Sequence, residues 1–202
     1  MGCRVKPGAE IDLSSLVVTP LTPERWDDLV ALFGPERGGL GGCWCQWYRL
    51  LRPEFEALGR DGRRQRFENL VQEGPPPGVL AYDDDRPVGW CAVAPRAAQP
   101  RLDKGRVSKR IGDQDYDRIW VITCLFVDRP WRRRGLMRPL IDGAVALARD
   151  QGARHVEAYP MIPSPKTGDA DLFVGKLNAF LSCGFQQISQ PLPKRAVVRR
   201  AV

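Results

Sequence analysis

The sequence lacks the features that would place it in a membrane or on a secretory route. Its apolar runs stay well short of the roughly 20 residues that a membrane helix needs. The first residues carry charge, glycine and proline and contain no apolar stretch typical of a signal peptide. We therefore expect a cytoplasmic protein with no membrane partner.

Histidine is scarce, and the cysteines are not spaced as metal ligands. The chain has a single histidine, His155, and six cysteines, of which only Cys43 and Cys45 lie close together. A zinc site needs a full set of Cys and His ligands at set spacings. A disulfide framework is not expected without a secretion signal. We therefore predict that the protein requires no metal.

Two common phosphate-binding motifs are also missing. The chain has neither the Gly-Lys-Ser/Thr of a Walker A loop nor a G-x-G-x-x-G segment after its first strand. The formal net charge is nevertheless +7, which attracts polyanions such as a phosphorylated cofactor or nucleic acid. A solvated basic surface explains the charge equally well. No nucleic-acid-binding motif is present, so no specific nucleic acid partner is expected.

The length and composition suit one globular domain with a short tail. Hydrophobic residues make up 43% of the 202-residue chain and charged residues 27%. Residues 1–15 show no clear periodicity and are predicted to form a flexible N-terminal tail, which leaves residues 16–202 as the domain. No internal repeat or second domain is evident.

The order of apolar segments predicts a β-α-α-β-β-β-α-β-α-β-β arrangement. Strands are predicted at 16–21, 79–82, 88–94, 119–127, 156–159, 185–189 and 196–199, and helices after Thr22 and at 53–73, 134–151 and 169–182. Gly59 and Gly62 are predicted to interrupt the helix over 53–73. Residues 119–127 are apolar on both alternating sets, as in a central strand covered on both faces. We predict an α/β fold with one mixed, twisted sheet of about six or seven strands and helices on both faces.

The segment most indicative of function is the turn between strand 119–127 and the helix after it. It is rich in arginine, contains Gly135 and opens directly into the helix. The N–H groups and the dipole at a helix start bind anions, and glycine allows close approach of the backbone. Together these features suit a pyrophosphate, although a helix start with solvated basic residues is the alternative.

This segment resembles the cofactor motif of GNAT acetyltransferases, whose pattern is Arg/Gln-x-x-Gly-x-Gly/Ala between a fourth strand and a third helix. The match runs from Arg132 to Met137, and Met137 is the departure from the pattern. The resemblance implies binding of acetyl-CoA, with the pyrophosphate on the turn and the pantetheine arm along the strand. The implied cofactor-binding residues are Leu125, Phe126, Val127, Arg132, Arg133, Arg134, Gly135, Leu136, Met137 and Arg138.

A second match lies downstream, where residues 178–185 resemble the family's Tyr-x-x-x-Gly-Phe element. In many family members that tyrosine protonates the departing thiolate. Phe180 occupies its position here and has no proton to give. Either another group serves as the acid, or the thiolate leaves unaided, which its modest basicity permits.

The segment Cys43-Trp-Cys-Gln-Trp-Tyr48 forms an aromatic wall, either of the core or of an acceptor pocket. Cys43-Trp-Cys-x-Trp47 also resembles a bacterial branch of the family with undefined substrate, as do Trp120-x-x-x-Cys124 and Glu157-x-Tyr-Pro160. The predicted acceptor pocket comprises Trp44, Trp47, Tyr48 and Tyr159.

His155, Glu157 and Tyr159 alternate along one strand and share a face. An ammonium acceptor must lose a proton before it attacks, and a carboxylate near a cleft can take that proton. Glu157 is the candidate general base, while a solvated surface face is the competing interpretation. Asp113, Asp115 and Asp117, in the long basic connection over 95–118, are alternative acids.

These patterns predict an acyl-CoA-dependent N-acetyltransferase that transfers acetyl to a primary amine by direct attack. The acceptor is a small-molecule or peptide amine, and assembly into a homodimer is left open. A CoA-binding module of the same fold that has lost its chemistry is the alternative, because Phe180 replaces the usual tyrosine.

Overall fold

A mixed seven-stranded sheet runs through the protein, whose computed structural model describes residues 13–34, 38–39, 41–112, 115–164 and 169–202. The strand order is β1-β2-β3-β4-β5-β7-β6. The strands are β1 (Val17–Pro20), β2 (Gly78–Asp83), β3 (Arg86–Pro95), β4 (Ile119–Val127), β5 (His155–Ala158), β6 (Gln186–Leu192) and β7 (Arg195–Ala201). The helices are α1 (Trp26–Phe33), α2 (Arg52–Ala57), α3 (Gly59–Glu73), α4 (Met137–Asp150) and α5 (Leu177–Ser182).

One parallel pair lies in the middle of this otherwise antiparallel sheet. β4 pairs in parallel with β5, and α4 makes the crossover between them. The remaining neighbours pair antiparallel, with β2 and β3 joined by a tight hairpin. The mixed sheet confirms the predicted fold class.

Helices cover both faces because α1 and α4 each present an apolar stripe to the sheet. On one face, Leu140, Ile141 and Val145 of α4 join a core that also includes Phe180 of α5. On the other face, α1 and α3 pack against β2 and β3, with the aromatic residues Trp26, Phe33, Phe67 and Trp90 in contact. A third cluster lies under the connection between β3 and β4, where Leu102 packs with Tyr159 and with residues of β4 and β7.

Strand β4 has the predicted bounds, and the helix over 53–73 is interrupted at the first of its two predicted glycines, whereas two other helices differ from the prediction for the same backbone reason. The helix predicted over 53–73 is divided at Gly59, where φ is 58°. The helix predicted from 134 starts at Met137, because Gly135 has a φ of 87°. The helix predicted over 169–182 is a short 3₁₀ segment followed by α5, with Gly175 at a φ of 80° between them. Left-handed residues interrupt helices that apolar spacing alone would continue.

The predicted N-terminal tail lies mostly outside the described residues. Its last part, Leu13–Ser15, forms a 3₁₀ turn, and a Cβ built on Gly135 would lie 2.9 Å from the Leu13 Cδ1 atom. This end of the chain therefore lies against the predicted cofactor turn. Among the described residues, no helix is both long and apolar enough to cross a membrane.

Candidate functional site

The parallel strands β4 and β5 separate partway along their length. Their pairing runs from Ile119 opposite His155 to Ile122 opposite Ala158, while β4 continues to Val127. The last part of β4 therefore runs beyond its pairing with β5, and we call the separation of the two strands the gap; the 3₁₀ segment Asp169–Val174 also lies near β4. An extended ligand can hydrogen-bond to such a strand edge.

A β-bulge precedes the unpaired part of β4. Ala92 of β3 pairs with Cys124, but Val93 pairs with Ile122, so Thr123 is the extra residue. The bulge reverses the alternation of side chains: Ile122 and Leu125 both face α4, although they are three positions apart. Bulges of this kind re-aim side chains next to functional sites.

The turn between β4 and α4 has the geometry of an anion-binding loop. Arg133 and Gly135 have positive φ values of 63° and 87°, and α4 begins at Met137. The first N–H groups of an α-helix have no acceptor within the helix, and the helix dipole makes this end positive. Backbone N–H groups in alternating conformations form a concave nest for anions. The turn thus fits a pyrophosphate.

Side chains around the turn fix its position against the sheet. The Nε of Arg132 donates to the carbonyl of Val127 at 3.0 Å, which joins the turn to the end of β4. Arg138, on the first turn of α4, reaches Asp142 at 3.9 Å and stays largely exposed. The arginines therefore have separate roles, one structural and one directed to solvent.

Two of the ten predicted cofactor-binding residues, Leu125 and Met137, have side chains that belong to the core. A Cβ built on Gly175 would lie 2.8 Å from Leu125, 2.6 Å from Phe180 and 3.1 Å from Met137. These four residues pack together beneath the gap. Leu125 and Met137 can therefore contribute to cofactor binding through their backbone, which is the role the sequence assigns to them.

Phe180 is fully buried and packs edge-on against Phe185, with the ring centroids 5.2 Å apart. The position that resembles the family's tyrosine thus has no hydroxyl and no contact with solvent. It serves the packing of α5.

A cavity of about 230 Å³ lies beside the C-terminal end of β5. Three of the four residues predicted for the acceptor pocket, Trp47, Tyr48 and Tyr159, line it. Burial raises the pKa of Tyr48, while a hydrogen bond and the charge of Arg195 oppose that shift. The sequence prediction therefore brought together side chains from two distant segments.

Trp44 has a different place from the one predicted. It is 1% exposed and packs against Trp26 and Phe33, with ring centroids 5.8 Å away in both cases. Positive φ values at Trp44 and Cys45 turn the chain so that Trp44 faces the core while Trp47 faces the cavity. The aromatic segment was expected to belong either to the core or to an acceptor pocket. Trp44 belongs to the core, and Trp47 lines the cavity.

Glu157 lies at the centre of a buried ionic network. One carboxylate oxygen accepts hydrogen bonds from Nε of Arg199 at 2.9 Å and from its Nη2 at 2.5 Å. The other accepts from the Tyr159 hydroxyl at 2.8 Å and lies 3.8 Å from Arg96. Glu157 is 3% exposed and does not line the cavity, so the solvated-face interpretation is wrong. Its hydrogen bond to Tyr159 connects it to a residue that does line the cavity.

The network continues from Tyr159 into the connection between β3 and β4. Arg96 donates to the Tyr159 hydroxyl at 2.5 Å, to Asp103 at 2.8 Å and to the carbonyl of Ser108 at 2.7 Å. Burial and the charge of Glu157 raise the pKa of Tyr159 well above its ordinary value, so Tyr159 is a neutral hydroxyl at neutral pH. Arg96 therefore holds residues 96–108 against the sheet.

The sequence did not single out Arg96, Arg101, Arg195 or Arg199. For Arg96 and Arg101 the available signal is the long basic connection over 95–118, whose candidate residues from sequence are three aspartates instead. Asp113 lies outside the described residues, and Asp115 and Asp117 are exposed. The pairing of Arg199 with Glu157 could not be predicted from the sequence, because the two residues are 42 positions apart in the chain.

Cys43 and Cys45 are half-buried, and Cys45 packs against the aromatic core cluster. The Trp90 indole donates to the sulfur of Cys45 at 3.2 Å. A hydrogen bond from Cys124 lowers the pKa of Cys45, whereas burial and the nearby Cys45 raise that of Cys43 to about 11. Within the described residues, no group of three or more His, Cys, Asp or Glu side chains is placed to hold a metal ion.

Solved structures of the same architecture come from several organisms. A GCN5-related N-acetyltransferase from Kribbella flavida has a TM-score of 0.54 at 15% identity, covering 95% of this chain and 100% of that one. The yncA protein of Salmonella typhimurium, solved with its cofactor acetyl-CoA, has a TM-score of 0.53 at 12% identity, covering 93% and 94%. The paia N-acetyltransferase of Thermoplasma acidophilum, in complex with coenzyme A, has a TM-score of 0.51 at 10% identity, covering 93% and 99%.

These identities are low enough that the structural likeness shows the fold alone. None of the curated protein sequences compared with the chain matches it. The sequence model of the acetyltransferase (GNAT) family, however, matches residues 44–165, which is more than half of the chain and includes the gap, the turn and Glu157. The chain therefore belongs to the acetyltransferase (GNAT) family.

Proposed function

We propose that the protein is an acyl-CoA-dependent N-acetyltransferase that acts on a primary amine by direct attack. The observation that carries this proposal is the separation of β4 from β5 next to a glycine-containing turn at the start of α4. The strand edge and the turn are suited to one long ligand with an extended arm and a pyrophosphate. Family membership supports the same cofactor.

The backbone supplies the contacts to the donor. N–H groups between Arg132 and Arg138 hold the pyrophosphate, and the edge of β4 over residues 125–127 pairs with the pantetheine arm. When bound, acetyl-CoA supplies an activated acyl carbon. An N–H of residues 125–127 stabilises the oxyanion that forms as the amine adds to that carbon. A nitrogen–carbon bond forms and the carbon–sulfur bond breaks.

The proton and the leaving group are handled with few side chains. Phe180 cannot protonate the sulfur, so either another group serves as the acid or the thiolate leaves unaided. Glu157 stays the candidate base, with the Tyr159 hydroxyl as its route to the amine. The carboxylate of Glu157 accepts hydrogen bonds from Arg199 and lies 3.8 Å from Arg96. The contacts support its positioning role most strongly.

The cytoplasm stays the predicted location.

A CoA-binding module without catalysis is the second candidate, and the buried Phe180 favours it. Thiol release from acetyl-CoA, followed over a panel of amines, separates the two. Amine-dependent release supports the transferase. Binding of CoA by calorimetry without release for any amine supports the module, and absence of CoA binding contradicts both.

A further inference from the structure

The acceptor cavity is lined by positive charge. Ten residues line the cavity, and none of them is acidic. Four are cationic: Arg101, Lys104, Arg106 and Arg195. The nearby Asp103 is engaged by Arg96 at 2.8 Å and by Arg110 at 3.5 Å. A purely cationic amine would meet repulsion here.

Arg101 is held in place by an aromatic ring and by its backbone. Its guanidinium stacks on Trp47, 3.8 Å from the ring centroid, and its backbone N–H donates to the carbonyl of Tyr48 at 3.3 Å. Both terminal nitrogens are shielded from solvent and have no hydrogen-bond partner among the described residues. Buried donors left unpaired are costly, and a planar guanidinium pairs with a carboxylate or phosphate through two bonds.

Arg195 repeats this situation on another wall of the cavity. Its Nη2 donates to the carbonyl of Tyr159 at 2.8 Å, which fixes the side chain next to the end of β5. Its Nε is shielded and has no hydrogen-bond partner in the part of the chain that the structure describes. Two arginines from distant segments thus line one small space, and each has a guanidinium nitrogen that no group among the described residues satisfies.

We propose that the acceptor is a small amine that also carries an anionic oxygen group, which Arg101 and Arg195 bind. The proposal rests on the proposed acetyltransferase function and specifies its substrate class. The volume of about 230 Å³ lies below the roughly 300–1,000 Å³ of pockets for drug-sized ligands. A free amino acid or a phosphorylated amine satisfies both the size and the charge. Binding of the anion leaves the amine to reach the gap beside Tyr159.

The test compares amines that differ in the anionic group alone. Phenylalanine is measured beside phenethylamine and phosphoethanolamine beside ethanolamine, by calorimetry with CoA present and by thiol release with acetyl-CoA. We expect the anionic amines to be favoured by about 10- to 100-fold, the worth of one charge-assisted pair. The phosphorylated and carboxylated arms show which anion is preferred.

The variants Arg101→Gln and Arg195→Gln test the assignment to these two walls. Each variant should remove most of the preference for anionic amines and retain the affinity for CoA. Because there are two variants, the test remains decisive if one of them does not fold. Arg110→Gln is the matched control, because Arg110 belongs to the same connection, is 59% exposed and does not line the cavity.

Equal binding of anionic and neutral amines would overturn the proposal, as would the absence of binding by any anionic amine. A preference for an acidic peptide over every free amino acid would overturn the assignment to small molecules. The proposed transferase function fails separately, if anionic amines bind in the presence of CoA but no thiol is released.

Discussion

At the scale of single residues, Gly135 is the position on which the cofactor turn depends. Its φ of 87° costs an alanine roughly 1–2 kcal/mol, so Gly135→Ala should distort the turn. We expect the affinity for CoA, measured by calorimetry, to fall about tenfold or more, since that strain is of the size of one decade in binding.

Gly152→Ala is the matched control for this change. Gly152 has a φ of 83° with open space around a built Cβ, and it lies beyond the other end of α4. The control should lose similar stability but keep its CoA affinity. Equal affinities in the two variants would contradict the placement of the pyrophosphate.

Glu157 is predicted to matter for stability as well as for activity. Glu157→Gln leaves Arg199 and Arg96 without their buried counter-charge, and breaking such a pair from one side costs about 3–5 kcal/mol. Urea unfolding measures the change. Glu56→Gln removes an exposed partner, 61% accessible, from a pair with Arg52 and should change stability far less. A loss no larger than that of the control would show that the network is not structural.

Cys43 gives a prediction about pH. Burial, with the neighbouring Cys45, raises the pKa of Cys43 from 9.0 to about 11, so the folded state keeps a proton that the unfolded chain releases. The stabilisation is complete below pH 9 and is lost as the pH rises towards 11, at about 1.4 kcal/mol per pH unit. In Cys43→Ala, the free energy of unfolding should fall less steeply over this range. An unchanged slope would show that Cys43 does not titrate in this way.

At the scale of elements, the connection between β3 and β4 is positioned by Arg96. Arg96→Met removes its bonds to Tyr159, Asp103 and the Ser108 carbonyl, and should release residues 97–108. Faster amide exchange in this segment is expected, with a roughly 10- to 100-fold rise in the KM for the acceptor and little change in CoA affinity.

Arg110→Met is the control for this connection, because Arg110 reaches Asp103 from the exposed side at 3.5 Å. It should leave amide exchange and the acceptor KM close to those of the unmodified protein. An Arg96 variant that behaves like this control would show that other contacts hold the connection in place.

The elements also show where sequence reasoning succeeds. The bounds of β4 were predictable because an uninterrupted apolar run bounded by polar segments has one interpretation. The start of α4 was predicted three residues early, since a left-handed backbone at Arg133 and Gly135 leaves no mark in apolar spacing. The division at Gly59 was anticipated, whereas Gly62 lies within α3 without breaking it.

At the scale of the whole molecule, binding of CoA should be visible as stabilisation against heat. A ligand at 100 times its dissociation constant adds about 2.7 kcal/mol, which corresponds to roughly 5–10 °C in Tm for a chain of this size. Thermal unfolding with and without CoA measures the shift. Gly135→Ala should show a smaller shift at the same concentration, and a shift equal to that of the unmodified protein would contradict the site.

The sequence by itself determined the order of elements, the central strand, the turn before α4 and the absence of an acid at Phe180. These features depend on residues that are neighbours along the chain, so local spacing reveals them. The tertiary structure alone decided that Trp44 is core while Trp47 lines a cavity, that Glu157 pairs with Arg199, and that Arg101 and Arg195 face one space. Those outcomes depend on contacts between distant segments and on the burial of charge, which are settled when the sheet closes and its loops pack.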